Sequence, residues 1–404
     1  MACLLQLSNS ENQIDTMRSE LNMQIAYFKS AKKLITGNGA VSTLKDELSR
    51  LGVKRPAVIT DKGVSRSGGL SLITDQLQPN SFLVYDDIPP EPEISVIENC
   101  VAELRGKDVD GIIAVGGGSA MDSAKVLAVS MGHNGKISAL FGENNVSSRD
   151  IPLIAIPTTA GTGSEVTNIA ILSDPEDQLK KGIVSEYLLP DVAIVAAEMT
   201  VSCPANVTAA SGIDALVHAL EAYLSVNASA ITDALAIKAV TMIYPALPKA
   251  FANGKDLEAR ENMATGSLLA GLAFGNAGVG AVHALAYPLG GRYHLSHGMS
   301  NAVMLPHVMK ANAEVSRERF VDIASAMKLE IQGHSTEDIV AQVLDAIEKI
   351  CRDVEIPATL KHFGIPEQDI QTLAVEASKV TRLLRNNPRK LTVDEIEEIY
   401  RQAF

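Results

Sequence analysis

Four of the eight histidines in this chain fall between Asp214 and His297, in a stretch that also carries a carboxylate placed to join them. Asp214 and His218 are four residues apart in an apolar run free of proline. A helix turns about 100° per residue, so the two side chains share a face and can reach one point beside it. His283 and His297 are fourteen residues apart. On one unbroken helix they would stand roughly 21 Å from each other along the axis. Pro288 and the Gly290-Gly291 pair predict that the helix stops between them and that the chain folds back. One carboxylate oxygen and three imidazoles then suit a divalent ion such as Fe²⁺ or Zn²⁺, with a position left open for substrate. His294, three residues before His297, is a candidate ligand or proton relay. A lone histidine is more often a satisfied interior residue; the joint spacing, in a chain poor in histidine, argues for a site.

Other segments could hold a phosphorylated ligand. Gly116-Gly117-Gly118-Ser119 follows an apolar strand and opens a helix, where bare backbone N–H groups and the helix N-terminus can cradle a pyrophosphate. It is not the GxGxxG pattern. Asp61, at the carboxyl end of an earlier strand, can accept hydrogen bonds from both ribose hydroxyls of an adenosine and would repel a 2′-phosphate, which favours NAD over NADP. As a residue it would serve equally as a helix N-cap. Because Asp61 precedes the glycines, the sheet order must differ from the usual dinucleotide fold. The loop from Pro157 to Thr167 (PTTAGTGSEVT) offers hydroxyls and N–H groups for the other side of a dinucleotide, and Lys180 or Lys181 could reach a ribose or phosphate.

These residues need elements to carry them. Short apolar runs at Ala57–Thr60, Phe82–Tyr85, Gly111–Val115, Leu153–Ile156 and Val192–Val195 alternate with helical patterns at 40–51, Val96–Arg105 and Ala120–Met131. That alternation predicts a parallel sheet covered on both faces. One or two further strands are expected in 24–36. From about residue 204 the strands vanish, and 206–225, 228–247, 256–273, 314–327, 336–352 and 366–380 read as helices. The chain is therefore divided into a polar extension (1–22), an α/β domain (23–203) and an all-helical domain (204–404), with the break at Ser202-Cys203-Pro204.

The chain has 404 residues, room for two domains with sizeable cores. A net charge of −13 argues against nucleic-acid or anionic-membrane partners. The four cysteines are scattered, and no secretory signal pattern opens the chain, so a cytoplasmic setting is expected. No apolar run reaches the ~20 residues of a membrane span.

Taken together, GGGSAMDSAK, PTTAGTGSEVT, GIDALVHALEAY and HALAYPLGGRYHLSHG resemble the iron-containing (group III) alcohol dehydrogenases, over roughly residues 28–404. The resemblance implies a Rossmann-like nucleotide-binding α/β domain and an all-α C-terminal domain, the dehydroquinate synthase-like fold, with the active site between them. It implies that Asp214, His218, His283 and His297 hold the metal. It implies that Asp61, Gly117, Gly118, Ser119, Thr158, Thr159, Thr162, Thr167 and Lys180 contact NAD, and that Phe274 lies in the substrate pocket. It implies at least a homodimer. One departure matters: Tyr287 stands where many members carry a second histidine, the proposed proton relay, so that role falls to Tyr287, His294 or a chain of waters and ribose hydroxyls.

The expected reaction is reversible hydride transfer between a small primary alcohol or aldehyde and NAD. Three readings compete with it: a zinc polyol dehydrogenase or dehydroquinate-synthase-like lyase of the same fold; a catalytically silent nucleotide- and metal-binding protein; and a helical half that mainly serves assembly. An inward-facing Arg385 would favour an anionic aldehyde; an outward or salt-bridged one would not.

Overall fold

The computed structural model describes residues 25–404 except 134 and 175–178, so the stretch 1–22 lies outside it. Nine strands are described: β1 Leu34–Thr36, β2 Pro56–Ile59, β3 Leu83–Tyr85, β4 Gly111–Gly116, β5 Gly142–Glu143, β6 Leu153–Pro157, β7 Ile169–Asp174, β8 Leu179–Val184 and β9 Val192–Val195. Six form one sheet in the order β1-β9-β6-β4-β2-β3, and every pairing in it is parallel. Strands β2, β4, β6 and β9 are buried at every residue. That burial is why they read as unbroken apolar runs: both faces are covered.

The helices of this half are α1 Leu44–Leu51, α2 Lys62–Ser67, α3 Ser71–Thr74, α4 Ile94–Leu104 and α5 Gly118–Ser130. Ile97, Leu104, Met121 and Leu127 seal one face against Ile112 and Ala114. Leu44, Leu48 and Ile73 seal the other against Val58 and Ile113. At roughly 1.5–3 kcal/mol per fully buried large side chain, each layer holds its helices firmly.

Of the one or two strands expected in 24–36, one is described, Leu34–Thr36, at a sheet edge beside β9. A second, three-stranded sheet, β5-β8-β7, was not anticipated. Strand β7 alternates, with Ala170, Leu172 and Asp174 buried; β8 carries Lys180 and Lys181, which hid its strand character.

From Ala205 onward the described elements are helical: α6 Ala205–Leu224, α7 Ala230–Ala252, α8 Leu257–Ala277, α9 Ala281–Tyr293, α10 His297–Ala326, α11 Thr336–Asp353, α12 Ile370–Ser378, α13 Thr381–Leu384 and α14 Val393–Gln402. By length and composition α7 could cross a membrane. Here Ala236, Val240, Ile243 and Leu247 are buried in the helical core with Leu216, Leu220 and Met263. Ala193 and Val195 of β9 meet Ala264, Leu268 and Leu272 of α8, so the two halves share an apolar seam.

The break between His283 and His297 also differs from expectation. Pro288, Gly290 and Gly291 all lie inside α9, which ends at Tyr293. The stop is His294, in the left-handed conformation (φ 54°), with its N–H donated to the Gly290 carbonyl. Helix α10 then starts at His297, well before the expected 314–327, and kinks at Ser316.

Candidate active site

Helix α6 presents Asp214 and His218 from one face, as the four-residue spacing requires. His283 sits in the first turn of α9 and His297 is the first residue of α10. One ligand atom from each of the four residues lies within 4.8 Å of the others. The His218 and His283 Nε2 atoms are 3.0 Å apart. Asp214 Oδ1 stands 3.9, 3.7 and 3.9 Å from Nε2 of His218, His283 and His297.

The ring nitrogens on the far side fix the chemistry of the near side. His218 Nδ1 is 3.1 Å from the Gly161 carbonyl, which can only accept, so Nδ1 carries the proton. His283 Nδ1 is 2.6 Å from the Glu221 carboxylate and likewise donates. Both Nε2 atoms are then bare lone pairs pointing at each other and at a carboxylate. Protonating His218 is opposed: burial, reinforced by His283 and only partly offset by Asp214, pushes it down to about 4. His297 is displaced in the same direction, chiefly by burial, although its side chain is 36% exposed to the cleft. Burial raises the Asp214 carboxyl, but His218, His297, His283 and Asn301 outweigh it and the net direction is down. A carboxylate and converging lone pairs in a dry site fit a divalent cation.

Two supporting residues escaped the sequence reading. Glu221 accepts from His283 and, through Oε1, from the Val282 N–H at 2.6 Å, capping the N-terminus of α9. Asn301 donates to Asp214 Oδ1 at 2.7 Å. Glu221 is three residues after His218 and Asn301 four after His297, so helical spacing was a usable signal for both.

The three histidines, His218, His283 and His297, border a cavity of about 260 Å³ between the halves. Gly118, Ser119, Thr162, Thr167, Lys180, Phe274 and Tyr287 also line it. Phe274 stacks on His218 at 4.1 Å. The threonine loop and the glycine turn touch: a Cβ on Gly118 would fall 2.7 Å from Thr162 Cγ2, and one on Gly117 would fall 3.3 Å from Thr159 Oγ1. Thr158 donates its N–H to the Gly116 carbonyl at 2.9 Å. Asp61 is the N-cap of α2, accepting from Val64 N–H, and its second oxygen sits beside Gly116. Asp61, Gly117, Thr158 and Thr159 thus frame the carboxyl edge of the sheet without bordering the cavity itself.

Several of these side chains are already engaged. Ser119 Oγ accepts the Glu91 N–H at 3.1 Å, Thr167 Oγ1 is 3.1 Å from the buried Lys125 amine, and Lys180 pairs with Glu91 at 2.6 Å. His294 is exposed and caps α9, so it joins neither the ligands nor the cavity wall. Of the two relay candidates only Tyr287 faces the cleft, its ring 6.3 Å from that of His297. Arg385 takes the outward, salt-bridged alternative: 65% exposed, it pairs with Glu143 at 3.3 Å. The arginine lining the cavity is Arg382.

Comparison with known proteins bears on this site. Residues 31–197 match the model of the iron-containing alcohol dehydrogenases, and residues 208–404 match the C-terminal model of the same family. The chain belongs to the iron-containing alcohol dehydrogenase family. It is 46% identical over 373 residues to long-chain-alcohol dehydrogenase 1 of Geobacillus thermodenitrificans, covering 91% of this chain and 94% of that one. The crystal structure of a 1,3-propanediol oxidoreductase superposes with a TM-score of 0.91 at 38% identity, covering 94% of this chain and all of that one. Sulfoacetaldehyde reductase from Bifidobacterium kashiwanohense, solved in complex with NAD⁺, gives 0.86 at 28% identity, with 94% and 99% covered. The chain is accordingly an alcohol–aldehyde oxidoreductase, and its buried tetrad matches the metal-dependent chemistry in the family's name.

Proposed function

We propose that this alcohol dehydrogenase interconverts a short primary alcohol and its aldehyde using NAD(H), with Fe²⁺ held by Asp214, His218, His283 and His297. The observation that carries the reading is the pair of imidazoles fixed by Gly161 and Glu221 with bare Nε2 atoms 3.0 Å apart. When bound, the divalent metal supplies Lewis-acid polarisation of the substrate oxygen and the nicotinamide supplies or accepts the hydride.

The rest falls to the chain. Glu221 and Asn301 hold the ligands in one tautomer and orientation. Gly117, Gly118, Ser119, Thr158, Thr159 and Thr162 form the cradle for the pyrophosphate at the N-terminus of α5. Thr167 and Lys180 reach toward the nicotinamide end, and Asp61, beside Gly116, favours a free ribose 2′-hydroxyl. Phe274 walls the pocket and excludes water. In reduction the carbonyl carbon gains a hydride and its oxygen gains a proton, which is passed through the Tyr287 hydroxyl. Burial raises the Tyr287 phenol, opposed by Arg382, so it relays as a neutral hydroxyl.

The exposed apolar side chains Ile25 and Tyr27, which precede edge strand β1 in the chain, support a homodimer or larger assembly. The free thiols Cys100, Cys203 and Cys351 support a reducing, cytoplasmic setting. The test is anaerobic reconstitution with Fe²⁺ or Zn²⁺, followed by NADH and NADPH oxidation over a panel of short aldehydes. Turnover with NADH, lost together with bound metal in His283→Ala, is expected. Metal and NADH bound with no turnover of any aldehyde would refute the reading.

A further inference from the structure

Outside the tetrad, four charged side chains line the cleft: Glu91, Asp122, Lys180 and Arg382. Three have matched charge or donors. Lys180 and Glu91 neutralise each other at 2.6 Å. Asp122 accepts from Ser164 Oγ at 2.6 Å and Ile171 N–H at 2.8 Å, with Lys125 behind it at 3.8 Å. Arg382 has no such balance: among the described residues no carboxylate lies within 4 Å of it, and its charge acts on the neighbouring Tyr287 phenol.

Its position is equally specific. Arg382 lies on α13, in the helical half, and reaches across the cleft toward β8, where a Cβ on Gly182 would be 3.8 Å from Nη2. Tyr287 is one helical turn beyond His283, and the guanidinium borders the same cleft as the three histidines. Ile169, Ile171, Phe274, Val279 and Leu383 give the intervening wall an apolar character. A guanidinium presents five N–H donors, and one phenol hydroxyl cannot occupy them. Apolar walls strengthen whatever charge it meets.

The geometry points to Arg382 as the residue that selects the substrate: it binds the anionic head, carboxylate or sulfonate, of a short aldehyde or alcohol whose oxygen end lies at the tetrad. This rests on the dehydrogenase reading and narrows its substrate class. A planar oxyanion takes two parallel bonds from the guanidinium fork, which a neutral chain end cannot supply.

The test compares 4-oxobutanoate with butanal, as substrates for NADH-dependent reduction by the metal-loaded wild type, Arg382→Gln and Arg382→Lys. Glutamine keeps a donor for Tyr287 and removes the charge. The wild type should prefer 4-oxobutanoate, and the ratio of the two kcat/KM values should fall on the order of 10- to 100-fold in Arg382→Gln, mainly through KM, with part restored in Arg382→Lys. An unchanged ratio overturns the assignment. So does a raised KM for NADH with equal losses on both aldehydes, which would make Arg382 a cofactor residue. Calorimetric titration with 4-hydroxybutanoate and 1-butanol decides independently of turnover. Anion binding that is tighter in the wild type and lost in Arg382→Gln supports the inference even if no aldehyde is reduced; equal binding to both proteins overturns it and leaves the dehydrogenase reading intact.

Discussion

Replacing Glu221 with glutamine tests the metal site at its least visible support. The carboxylate accepts from two buried donors, Val282 N–H and His283 Nδ1–H, each at 2.6 Å. Glutamine offers one oxygen and one NH₂. If its oxygen serves Val282, its NH₂ faces His283 Nδ1, which is then stable only as an acceptor. The proton moves to Nε2, on the side where the ligands converge. To bind metal, His283 must return to the other tautomer and set an N–H against the glutamine NH₂. The reverse rotamer leaves Val282 facing that NH₂ instead. Either way one buried donor goes unmade, at about 1–3 kcal/mol, and the charge assistance is lost. Metal affinity should therefore fall roughly 10- to 100-fold. Competition against a chromophoric chelator, with Zn²⁺ or anaerobic Fe²⁺, measures this directly. If the folded Glu221→Gln protein binds metal within twofold of wild type, the tautomer argument is wrong and the 3.0 Å approach of the two Nε2 atoms needs another cause.

Two further outcomes follow from neighbouring residues. Burial pushes the Glu165 carboxyl from 4.5 up to about 7, opposed by its own backbone N–H and by Lys125. Native protein then binds more protons than unfolded protein between those values, so this group's contribution is lost as pH rises through the window and the penalty is complete above 7. Glu165→Gln should gain on wild type between pH 5 and pH 8, by up to about 3 kcal/mol in urea unfolding; a pH-independent difference would count against it. Gly118→Ala places a methyl 2.7 Å from Thr162 Cγ2 and should cost about 1–3 kcal/mol and weaken NADH binding. Adding Thr162→Ser, which deletes that methyl, should restore part of both, and a lack of rescue would sever the two loops.

The tetrad was readable because histidine is scarce here and because a four-residue spacing puts two ligands on one helix face. Glu221 and Asn301 obey the same helical spacing from a ligand but went unread, since carboxylates and amides are common on solvated helix faces and spacing alone does not show which face is buried. The outward, salt-bridged alternative for Arg385 is the one found, and Arg382, about one helical turn earlier, went unread. Which of the two turns inward depends on how short α13 docks, and that is set by Asn386 bonding to the Val279 carbonyl and Leu383 burying in the core. Pro288 misled in the opposite direction. Propensity says a helix ends there, but Leu285, Leu289 and Ala284 are fully buried, and that packing carries the helix past the proline. The parallel sheet was legible from unbroken apolar strands. The small sheet was not, because partial exposure and paired lysines remove that signature.

The division into an α/β half and a helical half hides a dependence between them. His283 takes its tautomer from Glu221, within the helical half. His218 takes its own from Gly161, which belongs to the threonine loop of the other half. That carbonyl can reach the imidazole because the loop lies directly on α6: a Cβ on Gly161 would be 2.6 Å from Ser211 Cβ and 2.9 Å from the Ser211 carbonyl oxygen. The same loop carries Thr159 and Thr162, which face Gly117 and Gly118. One short segment therefore fixes the proton of His218 at one residue and packs against the glycine turn on either side of it. Moving the loop away from α6 would strip His218 of its acceptor and open the glycine turn at once. The tetrad lies wholly in the helical half and the glycine and threonine turns wholly in the α/β half, and the two meet at Gly161, whose carbonyl takes the proton side of His218.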